Sequence, residues 1–417
     1  MNAEIISVGT ELLLGQTVNT DTTIVAKELS GVGINLLYAA TVGDNPERLK
    51  KAVEDALGRS DLLITTGGLG PTGDDLTKET VAEAAGKKLA LHDESYKRLL
   101  SQFPEGKMSD NMVKQAWLPE GCHVLLNDNG TAPGCVFETE KGKLVMMFPG
   151  PPSELEPMLK NYAVPYLAKE EEAVIASHNV HVFGRGEAPV AMMIEDLTEG
   201  TNPTAAPYAK EGEMFVRVTA KAATQKEADE MCRPVVEEIK RRVGDFVYSV
   251  DVESLEELVV KELKEKSMTI ATAESCTGGL LSKRITDVSG ASGVFETGCV
   301  TYANSAKEKL LGVPHEILEA YGAVSEETAR AMAEGVRKLA GSSIGVGITG
   351  IAGPEGGTEE KPVGLIYIAL CDGENTWVKA RRPFGRMKNR EAHRYAAASE
   401  ALDMVRRRLE GLPVVSE

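Results

Sequence analysis

The chain has 417 residues, too many for one hydrophobic core, so its length indicates two or three domains. Acidic residues number 63 against 46 Lys and Arg, and the net charge of −17 argues against general nucleic-acid binding, which needs a basic face. The six cysteines form no CxxC pair, which is typical of reduced thiols in a cytoplasmic protein. No apolar run approaches the roughly 20 residues of a membrane span, so we expect no membrane partner.

Strand and helix patterns alternate through residues 1–168. The predicted strands are Glu4–Val8, Asn35–Val42, Asp61–Thr65 and Leu144–Phe148, and the predicted helices include Thr22–Leu29 and Pro46–Leu57. This alternation predicts an α/β domain with a doubly wound, mostly parallel sheet and helices on both faces. In such domains, ligands bind at the carboxyl ends of the strands.

Three polar turns follow predicted strands of this first domain. Glu11 and Asn19 belong to the first turn, and Glu154 begins a helix after the third. In the second, TTGGLGPTGDDLT, glycines leave backbone amides open to an anion, and Asp74 and Asp75 offer oxygen ligands to a divalent cation. The combination predicts a phosphorylated ligand with a metal. The alternative is a glycine-rich turn in which one aspartate caps the next helix.

Residues 169–250 begin with a charged connector and then change pattern to a small α+β module. Strands are predicted at Val180–Phe183 and Met214–Ala220, and helices at Ala188–Leu197 and Lys226–Val243. Between them, Asn202–Glu213 is polar and rich in turn formers. The module has no catalytic constellation of its own.

Residues 251–417 form the third predicted domain, which opens with an amphipathic helix at Asp251–Lys266 and a short strand at Ser267–Ile270. The segment ATAESCTGGLL then places Ser275 in a glycine-containing turn before a helix. Amides and the dipole at a helix start favour a developing negative charge, which suits a nucleophile. The alternative is a tight turn that caps its helix through Ser275 or Thr277.

Two further stretches of this domain carry chemical groups. Tyr302 ends a predicted strand, and Lys307 lies in the first turn of the next helix, where a cation is unfavourable. Surface solvation would explain this lysine, and so would burial near a serine hydroxyl, which would lower its pKa towards base strength. Near the end of the chain, Arg386, Lys388 and Arg390 form a basic cluster that suits either a phosphate or a solvated helix start.

These motifs resemble those of the CinA family. The segments AESCTGG, TYANSAK, GAVSEETARAMAEG and TGIAGPEGGTEEKPVG are similar to its C-terminal domain, which implies a nicotinamide mononucleotide deamidase that needs no cofactor. The segments GTELLLGQTVNT, TTGGLGPTGDD and FPGPPSEL resemble its molybdopterin-binding-like domain, which implies metal-dependent ADP-ribose pyrophosphatase activity. The middle segment is similar to the family's KH-like domain, and the family implies a homodimer.

The resemblance also implies roles for individual residues. The implied catalytic group is Ser275, Tyr302 and Lys307. The implied substrate-binding residues are Cys276, Thr277, Gly278, Gly279, Thr349, Gly350 and Arg390. The implied nucleotide site of the first domain comprises Glu11, Asn19, Gly67, Gly68, Gly70, Thr72 and Glu154. The implied ligands of its divalent metal, Mg²⁺ or a transition metal, are Asp74 and Asp75.

Two alternatives stay open at this point. Cys276 is a rival nucleophile, because a thiol at a helix start can be activated. No histidine lies in the C-terminal motifs, so Lys307 and Tyr302 are the groups left to move a proton. The whole chain could also be a non-catalytic nucleotide-binding regulator linked to competence or DNA damage, since glycine loops serve binding and catalysis alike.

Overall fold

The structure is a computed structural model that describes residues 1–103, 110–168, 174–210, 212–382 and 389–415. The described residues form two compact units, Met1–Ser177 with Thr219–Cys232, and His178–Val218 with Arg233–Glu417. The charged connector at 169–173 and two members of the predicted basic cluster, Arg386 and Lys388, lie outside the described residues.

The N-terminal region is an α/β domain. Its strands are β1 (Asn2–Val8), β2 (Asn35–Val42), β3 (Leu62–Thr66), β4 (Leu89–Leu91), β5 (Trp117–Pro119), β6 (His123–Leu125), β7 (Gly134–Glu138) and β8 (Leu144–Phe148). Its helices are α1 (Thr10–Leu13), α2 (Asp21–Gly31), α3 (Pro46–Arg59), α4 (Thr77–Ala84), α5 (Asp93–Gln102), α6 (Asp110–Val113), α7 (Pro152–Met158) and α8 (Val164–Leu167). The main sheet has the order β2-β1-β3-β8-β7-β6. Strands β2, β1, β3 and β8 are parallel, so the predicted doubly wound, mostly parallel sheet is confirmed.

The central strand of this sheet is apolar on both faces. All five residues of β3 are buried, with Ile64 in the core on one side of the sheet and Leu63 in the core on the other. Helices cover both faces of the sheet. A strand that is covered on both faces needs apolar side chains at successive positions, so its sequence is a continuous apolar run. Helix α3 shows how the sequence starts one of them: Asn45 Oδ1 accepts a hydrogen bond from the Arg48 amide, and Pro46 occupies the first turn.

The middle region contains a separate four-stranded sheet. Its strands are β9 (Val174–Val182), β10 (Thr204–Lys210), β11 (Glu213–Ala222) and β12 (Val247–Val250), and its helices are α9 (Glu187–Met193), α10 (Glu195–Thr198) and α11 (Gln225–Val243). The order is β10-β11-β9-β12. Strand β10 lies inside the tract that we expected to be turn-rich. It is an edge strand, where Pro207 is tolerated because one side of the strand needs no hydrogen-bonded neighbour.

The C-terminal region is a second α/β domain. Its strands are β13 (Ile270–Glu274), β14 (Phe295–Val300), β15 (Ile344–Gly350), β16 (Ile366–Cys371) and β17 (Thr376–Arg381). Its helices are α12 (Leu255–Glu265), α13 (Leu280–Asp287), α14 (Asn304–Leu311), α15 (His315–Tyr321), α16 (Glu326–Ala340) and α17 (Arg390–Glu410). The sheet order is β14-β13-β15-β16-β17, with the first three strands parallel and the last two antiparallel.

Strand boundaries in this domain differ from the prediction at two places. Tyr302, which was expected to end a strand, lies two residues beyond β14, which ends at Val300. The strand expected at Ser267–Ile270 begins at Ile270 and ends at Glu274, because Ser267 has a positive φ of 52° and belongs to the preceding turn. The strand therefore delivers Ser275 directly to the carboxyl edge of the sheet. Among the described residues, no helix is both long and apolar enough to cross a membrane.

Candidate functional site

The three polar turns of the N-terminal domain line one cavity of about 590 Å³. It lies at the carboxyl ends of β1, β3 and β8, where the Gly67 amide donates to the Phe148 carbonyl at 3.0 Å. Gly67 has a φ of +91°, and a Cβ atom there would lie 2.2 Å from the Val8 carbonyl oxygen. Glycine at this position therefore allows the second turn to approach β1 closely.

Nearly all residues implied for the nucleotide and metal sites line this cavity. They are Glu11, Asn19, Gly67, Gly68, Gly70, Asp74, Asp75 and Glu154. The exception is Thr72, whose amide donates to Asp75 Oδ2 at 2.9 Å and whose hydroxyl donates to the same oxygen. Neither aspartate caps α4 through its side chain, so helix capping does not explain the pair. The Thr72 side chain also lowers the pKa of Asp74, which keeps that carboxylate ionised.

Sequence analysis missed several polar groups of this cavity. Asp21 is buried, and its burial raises the pKa of the carboxyl group. As the first residue of α2 it resembles any acidic residue at a helix start, so no local signal marks it. Gln115 is also buried, and its Oε1 has no hydrogen-bond partner in the described part of the chain. It lies in a short 3-10 helix, Lys114–Ala116, far along the sequence from the glycine turns.

The cavity is strongly acidic. Its carboxylates come from Glu11, Asp21, Asp44, Asp74, Asp75 and Glu154. Among the described residues, no three His, Cys, Asp or Glu side chains are arranged to hold a metal ion by themselves. Magnesium is usually bound by one or two carboxylates together with substrate phosphates, and the acidic lining fits that mode because a phosphate would otherwise be repelled.

Two lysines link the glycine-rich turn and α4 to the segment that carries Gln115. Lys78 Nζ donates to the Lys114 carbonyl at 2.7 Å, and Lys114 Nζ donates to the Asp75 carbonyl. Lys78 is 2% exposed, and burial lowers the pKa of its ammonium group to about 8. The two side chains connect α4 with the segment that carries Gln115, so they fix two walls of the cavity relative to each other.

In the C-terminal domain, Ser275 lies at the carboxyl edge of the sheet. Its amide donates to the Ile348 carbonyl at 2.9 Å, which ties the turn to the neighbouring strand β15. Gly278 and Gly279 have φ values of +60° and +93°, a region that other residues rarely adopt. The glycines thus allow a sharp strand-to-helix turn in which Ser275 is 8% exposed.

Lys307 is the direct partner of Ser275. Its Nζ lies 3.2 Å from Ser275 Oγ, 2.9 Å from the Thr301 carbonyl and 3.3 Å from the Tyr302 carbonyl. The side chain is 0% exposed, and burial lowers the pKa of its ammonium group below the ordinary value. Surface solvation therefore does not explain the lysine in the first turn of α14, whereas burial beside a serine hydroxyl does.

Tyr302 is placed differently from the other implied catalytic residues. Its side chain is 61% exposed, and its hydroxyl accepts a hydrogen bond from Arg390 Nη2 at 3.0 Å. Arg390 Nη1 donates in turn to the Gly353 carbonyl at 2.8 Å. Tyr302 contacts Lys307 through its backbone carbonyl, so the expected relay through the hydroxyl is not formed in this arrangement and stays a prediction.

The start of α13 is occupied by Glu274. Its carboxylate accepts hydrogen bonds from the amides of Gly279, Leu281 and Ser282 at 3.0, 3.1 and 2.8 Å, and from the Ser282 hydroxyl. This corrects the expectation that these amides are free for a developing charge, because a buried carboxylate already neutralises them. Neither the Ser275 nor the Thr277 side chain caps the helix.

The amides one turn earlier remain available. Among the described residues, neither the Cys276 nor the Thr277 backbone N–H donates to a backbone carbonyl, and the Cys276 N–H bonds to its own thiol sulfur, a weak acceptor. The Cys276 thiol is 5% exposed, and burial raises its pKa to about 12, so it is not a thiolate near neutral pH. This weakens its case as the rival nucleophile. Thr349 is the last residue but one of β15, and its hydroxyl donates to the Ala323 carbonyl at 2.6 Å.

Sequence analysis also missed Arg394 in the C-terminal domain. Its Nε and Nη2 donate to the Thr277 carbonyl at 3.1 and 2.6 Å. It lies one helical turn after Arg390 on α17, and no local pattern distinguishes it from a surface arginine.

Three domain families match successive parts of the chain. Residues 4–169 match a probable molybdopterin binding domain, residues 177–249 match the damage-inducible protein CinA KH domain, and residues 252–409 match the CinA C-terminal domain.

Full-length relatives carry related names. A CinA-like protein from Desulfovibrio desulfuricans is 55% identical over 99% of this chain and 97% of its own length. A putative competence-damage inducible protein from Acetivibrio thermocellus is 53% identical over 98% of both chains. A solved structure of CinA from Thermoplasma acidophilum is 34% identical and covers 39% of this chain and 97% of its own, with a TM-score of 0.37. Since the full-length identities extend over nearly every residue, the chain belongs to the CinA family.

Proposed function

We propose that the C-terminal domain hydrolyses the carboxamide of nicotinamide mononucleotide to nicotinate mononucleotide and ammonia. The observation that carries the proposal is the buried pair in which Lys307 Nζ lies 3.2 Å from Ser275 Oγ. A serine hydroxyl is a poor nucleophile near neutral pH unless a base lies within hydrogen-bond reach. Lys307 supplies that base because burial lowers its pKa.

Three oxygens surround Lys307 Nζ, so they accept from the three N–H groups of the ammonium form and also orient the neutral amine. An uncharged amine has two N–H groups and one lone pair. Its N–H groups bond the carbonyls of Thr301 and Tyr302, and the lone pair is then directed to the Ser275 hydroxyl. In this state the carbonyls orient the base, so deprotonation produces an aligned proton acceptor.

The reaction proceeds through an ester on Ser275. Its oxygen attacks the carboxamide carbon while its proton passes to Lys307, and the resulting oxyanion is stabilised by the amides of Cys276 and Thr277. Lys307 returns the proton to the nitrogen, so the C–N bond breaks and ammonia leaves. A water molecule, deprotonated by the same amine, then attacks the ester carbon. The C–Oγ bond breaks, Lys307 returns the proton to Ser275 Oγ, and nicotinate mononucleotide is released.

The test is ammonia release from nicotinamide mononucleotide by the full chain. The wild type should release ammonia and form nicotinate mononucleotide in equal amounts, and Ser275→Ala should abolish both. A wild-type protein that binds the substrate without forming product would contradict the proposal. That result would favour the alternative, a non-catalytic nucleotide-binding regulator.

A second activity is supported by the N-terminal cavity: metal-dependent hydrolysis of the pyrophosphate of ADP-ribose. Its support is the combination of an acidic lining with the backbone amides of Gly68 and Gly70, for which no acceptor within the described residues is recorded. Asp74 and Asp75 would hold the divalent metal, which when bound neutralises charge on the phosphate that is cleaved. The glycine amides bind the phosphate oxygens and keep them oriented.

This activity is tested by following AMP formation from ADP-ribose. Asp75→Ala should abolish it and leave ammonia release unchanged. Asp75→Asn is the matched control for folding of the turn, because its side-chain oxygen can still accept from Thr72 while the charge is lost. Full activity in a double alanine variant of Asp74 and Asp75 would contradict the assignment.

We also propose an oligomeric state and a location for the protein. A homodimer is the proposed state, and sedimentation of the full chain tests it directly. A cytoplasmic location fits the free cysteines, since glutathione keeps thiols reduced there.

A further inference from the structure

The turn that carries Ser275 is held by an arginine from a distant part of the chain. Arg394 donates from Nε and Nη2 to the Thr277 carbonyl, at 3.1 and 2.6 Å, across 117 residues of sequence. The same oxygen accepts from the Leu280 amide at 3.2 Å. A charged donor makes such a hydrogen bond stronger than a neutral one, so this carbonyl is fixed more firmly than most.

The peptide that Arg394 holds joins Thr277 to Gly278, and Gly278 is followed by a second glycine. Its N–H donates to the Ser275 carbonyl at 3.2 Å, so the turn restrains this peptide through neutral backbone hydrogen bonds at both its N–H and its carbonyl. Glycine adopts many backbone conformations at similar energy, and the guanidinium adds a charged restraint at the point where the two glycines begin.

The other end of the turn is restrained by Glu274. Its carboxylate binds the amides of Gly279, Leu281 and Ser282 and is completely buried. An acidic side chain thus holds the amides after the turn, and a basic side chain holds a carbonyl within it. The backbone amides that we assign to the oxyanion, those of Cys276 and Thr277, come directly before the carbonyl that Arg394 holds.

We propose that Arg394 is a positioning residue. It fixes the carbonyl of Thr277 and thereby the backbone of this residue, so that the amides of Cys276 and Thr277 converge on the oxyanion formed beside Ser275. This inference rests on the deamidation proposed above. Oxyanion donors act mainly in the transition state, because charge develops on the substrate oxygen during attack. Loss of the restraint should therefore lower kcat and leave KM nearly unchanged.

The competing role for Arg394 is direct binding of the substrate phosphate. Arginine is well suited to phosphate, and Arg390 lies one helical turn away. The two roles give different kinetics, since loss of a phosphate ligand raises KM and weakens binding in the ground state.

The experiment compares Arg394→Met and Arg394→Lys with the wild type in the full chain. Arg330→Met is the matched control, because Arg330 Nη1 also donates to a backbone carbonyl, that of Thr376, elsewhere in the same domain. Ammonia release gives kcat and KM, thermal melting checks folding, and calorimetry with nicotinamide mononucleotide measures binding in a Ser275→Ala background.

We expect Arg394→Met to lower kcat by about 10- to 100-fold with KM within about twofold. Arg394→Lys should recover part of the loss, because one ammonium donor can still reach the carbonyl. Arg330→Met should match the wild type. An unchanged kcat in both Arg394 variants would overturn the inference. So would a loss that appears in KM and in the calorimetric affinity, which would make Arg394 a phosphate ligand.

A second measurement separates this inference from the deamidation itself. A fluorophosphonate probe labels serines that have an activated hydroxyl and an oxyanion site: the Oγ–P bond forms, the P–F bond breaks, fluoride leaves, and the hydroxyl proton passes to Lys307. Labelling of Ser275, followed by mass spectrometry, should be slower in Arg394→Met than in Arg330→Met. Labelling of the wild type without ammonia release would refute the proposed substrate and keep the inference, whereas equal labelling of the two variants would refute the inference.

Discussion

The N-terminal cavity and the Ser275 site occupy equivalent places at the parallel strands of two mixed sheets, but the charged groups around them differ. Both lie at the carboxyl ends of strands beside two consecutive glycines with positive φ. The N-terminal cavity is lined by carboxylates. In the C-terminal site the Glu274 carboxylate is buried and bound to helix amides, and the proposed reactive pair is a hydroxyl with an amine.

This difference shows that the architecture supplies a place and the side chains supply the chemistry. An acidic cavity attracts a cation before it accepts a phosphate, so an activity there should depend on a metal. A buried lysine next to a serine supplies its own base, so an activity there should depend on pH and be independent of metal. Changes that act on one site and spare the other test this contrast.

The largest effect is expected from removal of the amine. Lys307→Met should lower ammonia release by at least about a thousandfold while AMP formation from ADP-ribose is unchanged, because the base is lost from one site alone. Lys307→Arg is the control, since it keeps a cation that stays protonated. Substantial ammonia release by Lys307→Arg would mean that the charge matters rather than the base. Adding Ser275→Ala to Lys307→Met should cost little more than either change alone.

Removal of divalent metal should separate the two sites next. A chelator should reduce AMP formation by at least about a hundredfold, because the acidic cavity then repels the pyrophosphate. Ammonia release should stay within about twofold of its untreated value in the same preparation. Restoration of AMP formation by added Mg²⁺ or Mn²⁺ is the control. A parallel loss of ammonia release would place a metal in the C-terminal site and end the contrast.

The pH dependence should be a property of the Ser275 site. Burial lowers the pKa of Lys307 below its ordinary value of 10.5, and the amine accepts a proton only above its own pKa. The rate should therefore rise about tenfold per pH unit below that pKa and level off before pH 10.5. The lowered pKa of Lys307 also makes the folded state more stable as pH rises from that pKa to the ordinary value of 10.5. In this range the unfolded chain binds one more proton at this lysine than the folded chain does. A rate that shows no rise at any pH below 10.5 at which the protein stays folded would contradict the role of Lys307.

A smaller effect is expected from the Tyr302 hydroxyl. Tyr302→Phe should lower kcat by about tenfold or less, because this hydroxyl is bonded to Arg390 and lies apart from Lys307. A loss of about a hundredfold or more would support the proton relay that the sequence predicted. Measurement of kcat and KM together shows whether the lost bond affects chemistry or substrate binding.

The smallest effect is expected at the thiol beside the nucleophile. Cys276→Ala should keep ammonia release within about twofold, since burial raises the pKa of the thiol to about 12 and leaves no thiolate to attack. A loss of activity in Cys276→Ala with retention in Ser275→Ala would show that the nucleophile is the cysteine.

Much of the fold could be predicted because its signals are local. Asn35–Val42 and Leu144–Phe148 were predicted with the bounds that the structure has. Parallel strands buried on both faces need continuous apolar runs, and helices need a 3.6-residue period, so each element carries its own pattern. The signal failed at β10, an edge strand whose polar residues reflect exposure on one side.

The candidate sites were partly predictable for the same reason. Glycines at strand ends, the Asp74–Asp75 pair and the serine turn are short motifs with a direct chemical meaning, and the sequence by itself determined that they follow strands. The sequence also indicated a specific role for Lys307, because a cation at a helix start is unfavourable.

The tertiary structure decided how those groups are used. In the folded chain the Glu274 carboxylate accepts from helix amides. The Tyr302 hydroxyl accepts from Arg390, and the Arg394 guanidinium donates to the Thr277 carbonyl. It also placed Asp21 and Gln115 in the acidic cavity. These contacts join residues that are distant in sequence or compete for the same donors, and their outcome depends on burial and on the direction of each side chain. Neither quantity is encoded in a local pattern, so only the packed chain determines which polar groups are already paired and which remain available for a ligand.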